Sequence, residues 1–340
     1  MTIIDNLKKG ESLSYNEARE LLQSVLSGGV TTPELLDIFG VFDKRAMVKE
    51  ELEGFFDAAS ESMVKVDVSS NVLDTAGTGG DGLATFNIST VAAFICAACD
   101  VPVAKHGNRS AGGKCGSADV LQALGVNIEL APQATKKCLE DIGITFFFAP
   151  LFHPAFAQAR QARTLFGRRT FFNILGPMLN PAKARYQLIG LSDTSYASLM
   201  GTLLRKRARK RVWIFRSDDN MDEISPSSQT RVVEYSDKEL TEKTFTLDPA
   251  AYGLALSPLS DIQTSSVEEC VKIFLAVLKN EANEGQTNAA LLNAAAGLVV
   301  FGKARDIKEG IAMARQALAS GKAQKKLQDF IKLSNDAKNV

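Results

Sequence analysis

VLDTAGTGGDGLATFNISTVAAFICAAC, residues 72–99, is the stretch on which the fold turns. A short apolar run, VLD, breaks into a glycine-rich loop. The loop then opens into an apolar run of helical texture. Strand, glycine turn and helix in that order form the unit from which α/β domains are built. Glycine in a loop costs conformational entropy, so the segment makes sense where something must approach the backbone closely, usually an anion. Gly77, Thr78, Gly79, Gly80 and Asp81 offer successive backbone N–H groups. Asn87, Ser89 and Thr90 then open a helix whose N-terminal dipole favours negative charge. The G-K-[ST] ending of a Walker loop is missing, and the spacing is not G-x-G-x-x-G. The plainer reading of the same residues is a tight turn with Ser89 or Thr90 as a helix cap.

The same alternation continues downstream. VPVAKHG (101–107) reads as a second strand, NRSAGGKCG as a loop and SADVLQALG as a helix. ATKKCLEDIG leads into the strand ITFFFAP. YQLIGLSD, RVWIFRS and TRVVEYSD read as further strands, with the helix SYASLMGTLLRKRA between the first two. Strands alternating with helices predict an α/β domain around a largely parallel sheet, with its polar loops at one sheet edge. The C-terminal NAALLNAAAGLVVFGKARDIKEGIAMARQALASGKA reads as helices stopped by glycine. Residues 1 to about 65 read as helices only. LSYNEARELLQSVLSGG has Ser14 as cap, Glu17 three positions on and a Gly-Gly stop. TTPELLDIFGVF starts with threonine and a proline in its first turn, and VKEELEGFFDAASESMV is amphipathic. The expected organisation is a small helical domain, 1–69, completed by helices near 160–185, and a large α/β domain, 70–340.

Three further segments carry chemistry. In KHGNRSAGGKCGSAD, Lys105, His106, Asn108, Arg109 and Lys114 surround flexible backbone, which suits a polyphosphate. In DDNMDEIS, Asp222 and Glu223 follow a strand, with Asp218 and Asp219 close by. Adjacent carboxylates repel unless a cation lies between them, and magnesium needs only one or two of them beside water and substrate phosphate. A solvated acidic turn is the alternative. In APLFHPAFAQARQARTLFGRRTFFNILGPMLNP, His153 precedes proline and Arg163, Arg168 and Arg169 lie on or near helix. Arginine fits a carboxylate through two parallel hydrogen bonds, although any one of these could form a surface ion pair.

Composition narrows the classes. The 340 residues are 45% hydrophobic, enough for a large core. Lysine plus arginine equals aspartate plus glutamate at 39 each, so neither a basic nucleic-acid binder nor an acidic tail is indicated. Polar residues interrupt every apolar run short of the ~20 needed to span a bilayer, and the N-terminus has no signal-peptide pattern. Cys96 and Cys99 form C-x-x-C inside an apolar run, which points to helical burial rather than metal or redox chemistry. With Cys115, Cys138 and Cys270 the count is odd, which fits a reducing cytoplasm.

Four motifs in order resemble the anthranilate phosphoribosyltransferases of tryptophan biosynthesis: GTGGDG with TFNIST, VAKHGNRS with GSADVLQALG, the HPA to LGP…NPA stretch, and DEIS. LLNAAAGL and GKA near the C-terminus extend the resemblance over nearly the whole chain. It implies a small helical domain joined to a large α/β domain, a homodimer, a Mg²⁺ cofactor, and transfer of phosphoribosyl from phosphoribosyl pyrophosphate to the anthranilate amine. By motif, Gly77, Thr78, Gly79, Gly80, Asp81, Thr85, Asn87, Ser89, Thr90, Lys105, Asn108 and Ser117 would hold phosphoribosyl pyrophosphate. Ser89 would act through a metal, and Asp222 and Glu223 would hold a second one. Gly77, His106, Asn108, Arg163 and Gly176 would line the anthranilate path, with Arg163 facing the carboxylate. The family often has serine where this chain has Gly112 and Cys115, and glycine where it has Ser217 and Asn220.

Two rivals share the fold. A pyrimidine nucleoside phosphorylase would attack the same sugar carbon with phosphate, but its loop usually reads K-H-S-T-G-G. A non-catalytic nucleic-acid-binding relative would use the basic run Arg205, Lys206, Arg207, Arg209, Lys210 and Arg211. A solvated helix end explains that short run more simply.

Overall fold

The computed structural model describes residues 3–69, 71–110, 115–239 and 241–336. Gly112 and Lys114 therefore lie outside the described residues. The chain starts with α1 (Ile3–Lys8), α2 (Tyr15–Leu26), α3 (Thr32–Lys44) and α4 (Lys49–Ser62). Helix α2 opens on the capping box expected from sequence: the Glu17 N–H donates to the Ser14 hydroxyl, and the Ser14 N–H donates to the Glu17 carboxylate at 2.9 Å. Helix α4 lacks a hydroxyl cap. There Glu51 reaches back to accept the Val48 N–H at 2.8 Å. Glu51 is fully buried, yet its oxygens also accept from the Leu13 N–H at 3.0 Å and from both Arg45 η nitrogens at 2.8 and 2.6 Å.

The α/β part runs β1 (Leu73–Asp74), α5 (Ile88–Ala98), β2 (Val103–Gly107), α6 (Ser117–Ala123), α7 (Pro132–Ile142) and β3 (Ile144–Phe148). Helices α8 (Ala149–Phe152), α9 (Arg160–Phe166) and α10 (Phe171–Leu175) follow. Then come β4 (Tyr186–Gly190), α11 (Ala197–Lys206), β5 (Arg211–Ser217), β6 (Thr230–Ser236) and β7 (Lys243–Leu247). Helices α12 (Val267–Leu278), α13 (Glu284–Phe301), α14 (Ile307–Ala319) and α15 (Lys322–Asp336) complete the chain. The seven strands form one sheet in the order β3-β2-β1-β4-β5-β6-β7, with the first five parallel and the last two antiparallel additions. The fold is the expected α/β one, a mostly parallel sheet flanked by helices. Strand β7 and helix α12 are elements the sequence reading did not include.

Strand alternation divides the core. Leu188, Trp213 and Phe215 face α5 and α12–α15, whereas Ile189, Val212 and Ile214 face the N-terminal helices, α10 and α11. Helix α13 is buried on all sides, and its small residues allow that: a Cβ on Gly297 would lie 2.8 Å from Cys96 Sγ and 3.0 Å from Leu73. Cys96 and Cys99 are buried free thiols on α5, as expected. The core of α1–α4 takes in Ala162, Phe171, Phe172 and Leu175 and continues onto β4 and β5. Among the described residues no helix is long and apolar enough to cross a membrane.

The basic run is not simply solvated. Lys206 pairs with Glu53 at 3.1 Å and Arg207 with Asp57, both on α4. Arg211 pairs with Glu234 at 2.8 Å, and Arg209 is buried. The run clamps the helices to the sheet because α11 ends where α4 crosses it.

Replacing Glu51 with Ala should lower stability by about 3 kcal/mol or more, since it strands Arg45, the buried Leu13 N–H and the part-buried Val48 N–H. Chemical denaturation of both proteins measures this, and a loss below about 1 kcal/mol would contradict the anchoring role.

Candidate active site

Strand order reverses between β1 and β4, the place where open α/β sheets bind ligands beyond their carboxyl ends. The glycine loop leaves β1 there. Gly79, Gly80 and Gly82 adopt φ of +67°, +74° and +81°, the left-handed region that favours glycine. Gly77 is bare for a different reason: a Cβ on it would lie 3.2 Å from the Gly190 carbonyl oxygen. Gly80 lies beneath Arg169, whose guanidinium would be 3.1 Å from such a Cβ. The Thr78 N–H is not available to a ligand, because it donates to the Gly190 carbonyl at 2.9 Å. Its role is to fasten the loop to β4. Asp81 closes the loop by accepting the Leu83 N–H at 3.0 Å. Thr85 bridges Gln263 through its backbone and anchors the loop's exit.

At the start of α5, Asn87 ties this loop to the next: its amide donates to the Cys115 carbonyl at 3.1 Å, and the Cys115 thiol donates back at 3.3 Å. The Ser89 N–H donates to Glu223 at 3.1 Å. Thr90 is buried, and its hydroxyl has no partner among the described residues. The side chains of Ser89 and Lys105 meet at 3.4 Å, and Lys105 also donates to the Thr75 carbonyl at 3.0 Å. In the second loop, the Ser117 hydroxyl donates to the Asn108 carbonyl at 3.3 Å across Gly107, where a Cβ would lie 2.2 Å from Ser117 Oγ. Arg109 turns away to Asp119 at 3.0 Å and Gln122 at 2.7 Å.

Asp222 and Glu223 descend from the end of β5 onto these loops. A Cβ on Gly190 would lie 1.7 Å from the Asp222 carbonyl oxygen. Asn293 of α13 holds the next residue, accepting the Ile224 N–H at 3.0 Å and donating to its carbonyl at 2.8 Å. The two family departures here are structural. The Ser217 hydroxyl donates to the Glu223 carbonyl at 2.7 Å, and Asn220 adopts φ +71°, a conformation asparagine tolerates better than most residues. Asp219 also stays inside the turn, accepting from the Ser225 hydroxyl at 2.6 Å.

Burial, then the charges of Asp81 and Glu223, hold the Asp222 carboxyl well above its ordinary range. Burial raises Glu223 to about 7 against the pull of Lys105, and burial lowers Lys105. Asp74, a buried residue not singled out from sequence, is raised to about 6 by burial. It accepts from the His106 N–H at 3.1 Å and from Asn180 at 2.8 Å. Asp81, Asp222 and Glu223 thus converge with one buried ammonium among them. An all-oxygen donor set short of positive charge fits a hard divalent cation. Among the described residues no group of three or more His, Cys, Asp or Glu is placed to hold a metal ion by itself, so at most two of these carboxylates could serve one ion. An incomplete shell is what magnesium uses when water and phosphate supply the rest.

The anthranilate-path residues gather on one side. The His106 and His153 rings are 5.0 Å apart, His153 and Phe156 5.0 Å, and Phe156 and Phe172 4.9 Å. Arg163 stacks over Phe172 at 5.3 Å. It has no carboxylate partner among the described residues, and burial lowers its pKa. A Cβ on Gly176 would meet nothing within 4 Å, so the space beside it is open. Burial holds His106 well below its ordinary value and His153 at about 4, so both are neutral at pH 7. His106 Nε2 has no partner among the described residues. Sequence reasoning missed Asp74, Asn293 and the Phe156–Phe172 wall. Asn293, a lone polar residue amid LLNAAAGL, was the most detectable of them.

A family model for the glycosyl transferase family α/β domain matches residues 69–324. The chain is 38% identical over 326 residues to the anthranilate phosphoribosyltransferase of Geobacillus thermodenitrificans, covering 96% of each. The crystal structure of the anthranilate phosphoribosyltransferase of Thermus thermophilus superposes with a TM-score of 0.91 at 33% identity, over 98% of this chain and 100% of that one. That of Saccharomyces cerevisiae, in complex with PRPP and Mg, gives 0.87 at 25% identity over 95% and 94%. With such agreement in sequence and shape along nearly its full length, the chain belongs to the anthranilate phosphoribosyltransferase family.

Proposed function

We propose that this enzyme transfers the phosphoribosyl group of phosphoribosyl pyrophosphate to the amine of anthranilate. The observation that carries this reading is the meeting of the glycine loop and the Asp81–Asp222–Glu223 cluster at one sheet edge, to which the Phe172–Phe156–His153–His106 rings connect a half-buried Arg163 that has no carboxylate partner among the described residues. In the reaction the amine nitrogen bonds to the ribose C1, the C1–O bond to pyrophosphate breaks, and the amine loses a proton. The nucleophile is already neutral, so positioning and charge stabilisation suffice. Backbone N–H groups at Gly77 and Gly80, with Lys105 and Ser89, hold the pyrophosphate, and the Gly79 N–H, which turns to the Asp222 carboxylate, ties the loop to the acidic turn. Asn87, Asn108 and Ser117 set the spacing between the two loops. Mg²⁺ on Ser89, Asp222 and Glu223 would neutralise charge building on the leaving group. Arg163 takes the anthranilate carboxylate, and the neutral rings of His106 and His153 face the aromatic amine. An unpaired arginine in that place favours a carboxylate-bearing acceptor over inorganic phosphate, and so favours this reading over a nucleoside phosphorylase.

The expected division into a helical domain, 1–69 completed within 160–185, and a large domain, 70–340, suits this chemistry. Arg163 then belongs to the helical part and the phosphate loops to the other, so closure brings the substrates together. We take the working form to be a cytoplasmic homodimer.

Mixing enzyme, phosphoribosyl pyrophosphate, Mg²⁺ and anthranilate should extinguish anthranilate fluorescence; no change would overturn the assignment. Arg163→Ala should raise the KM for anthranilate about tenfold or more, with little change in that for the sugar phosphate. Asp222→Asn with Glu223→Gln should cut the rate by about 100-fold at ordinary Mg²⁺, and unchanged turnover would exclude them as metal holders. Gly190→Ala should displace Asp222 and lose comparable activity while costing about 1–3 kcal/mol of stability. Full activity in that variant would show that the Gly190–Asp222 contact is not needed.

A further inference from the structure

Away from the active site, a cavity of about 160 Å³ opens between α4, the 178–183 segment and the residues leading into β5. A single water needs only about 10–15 Å³. Arg209, Arg207, Lys183, Asn180, Ser60 and Asp57 supply its polar lining.

The charges in this wall do not balance. Asp57 is committed: it accepts from Arg207 Nε at 3.0 Å, from Arg207 Nη2, and from the Tyr15 hydroxyl at 3.0 Å. That leaves Arg209 and Lys183. Arg209 is 6% exposed, and its partners among the described residues are all neutral oxygens: Gln187 at 3.2 Å, the Arg207 carbonyl at 3.3 Å and the Met178 carbonyl at 3.4 Å. Lys183 has no ion-pair partner among the described residues. Asp74 acts on this buried guanidinium only through space, with no hydrogen bond between them among the described residues, and three of its five donors are spent, which leaves two. Nothing in the proposed reaction uses these groups. Arg207 and Arg209 come from the basic run that stood out in the sequence and that the active site does not absorb.

We propose that this cavity binds a compact oxyanion of the phosphate class, held by the two free donors of Arg209 with Lys183 at its mouth, while Arg207 stays on Asp57. Arginine forks match tetrahedral oxyanions through paired hydrogen bonds. The site has a route to the catalytic loops. Asn180, in the cavity wall, donates to Asp74, and Asp74 accepts the His106 N–H. An anion drawing on Asn180 or Arg209 would therefore be felt at β2.

Inorganic phosphate is the probe, with the full chain. In crystals soaked with it, tetrahedral density should appear between Arg209 and Lys183. Density in the glycine loops is a separate readout, so either site can fail without the other. In solution, Lys183→Gln and Arg209→Gln should each weaken the cavity component of phosphate binding about tenfold, read by calorimetry with the active site already filled by phosphoribosyl pyrophosphate. Lys183 lies at the mouth and tests the idea even if Arg209→Gln folds poorly. A cavity containing only water while phosphate occupies the loops, or unchanged binding in Lys183→Gln, would overturn the proposal.

Discussion

The backbone of Asp222 rests on Gly190, where β4 ends beside β1. A methyl group at Gly190 would collide with the Asp222 carbonyl at 1.7 Å, so the acidic turn and the end of the strand share one space. The Gly190 carbonyl in turn accepts the Thr78 N–H at 2.9 Å, and Gly77 packs against it. Three chain segments far apart in sequence thus meet at a bare strand end. The position of the carboxylates relative to the glycine loop follows from that contact, because the acidic turn and the loop are both pressed against one residue.

Electrostatics then gives the junction its chemistry. Bringing Asp81, Asp222 and Glu223 together in a half-buried place would be unfavourable without cations, and among the described residues Lys105 is the one that acts on Glu223. A site that needs positive charge on one side and an anion on the other fits a metal-bound diphosphate. Catalysis needs little further machinery, which agrees with a chain that has two histidines, both held neutral by burial.

A second seam joins the helices to the sheet. Lys206 and Arg207 reach α4, and Glu51 closes the N-terminal helices by accepting from Arg45, Leu13 and Val48. Arg209 is buried in this seam with no carboxylate hydrogen-bonded to it among the described residues, which is why the cavity beside it stands apart from ordinary surface pairing.

Much was legible in one dimension because local rules set it. Ser14 with Glu17, and the glycines that take positive φ, depend on residues a few positions apart. So do the short apolar strands that alternate with helices, and the motifs of the two loops. Strand β7, with exposed polar residues along an edge, carried too weak a pattern to be read. What the tertiary structure alone decided was the use of each polar group. The Thr78 N–H serves β4 and not a ligand, and Arg109 turns to α6. Asp74 and Asn293 become anchors, and a basic run becomes a clamp with one buried guanidinium. A residue's type states what it can donate or accept, but its partner depends on chain segments a hundred or more positions away, brought near only when the sheet and its helices close around a common core.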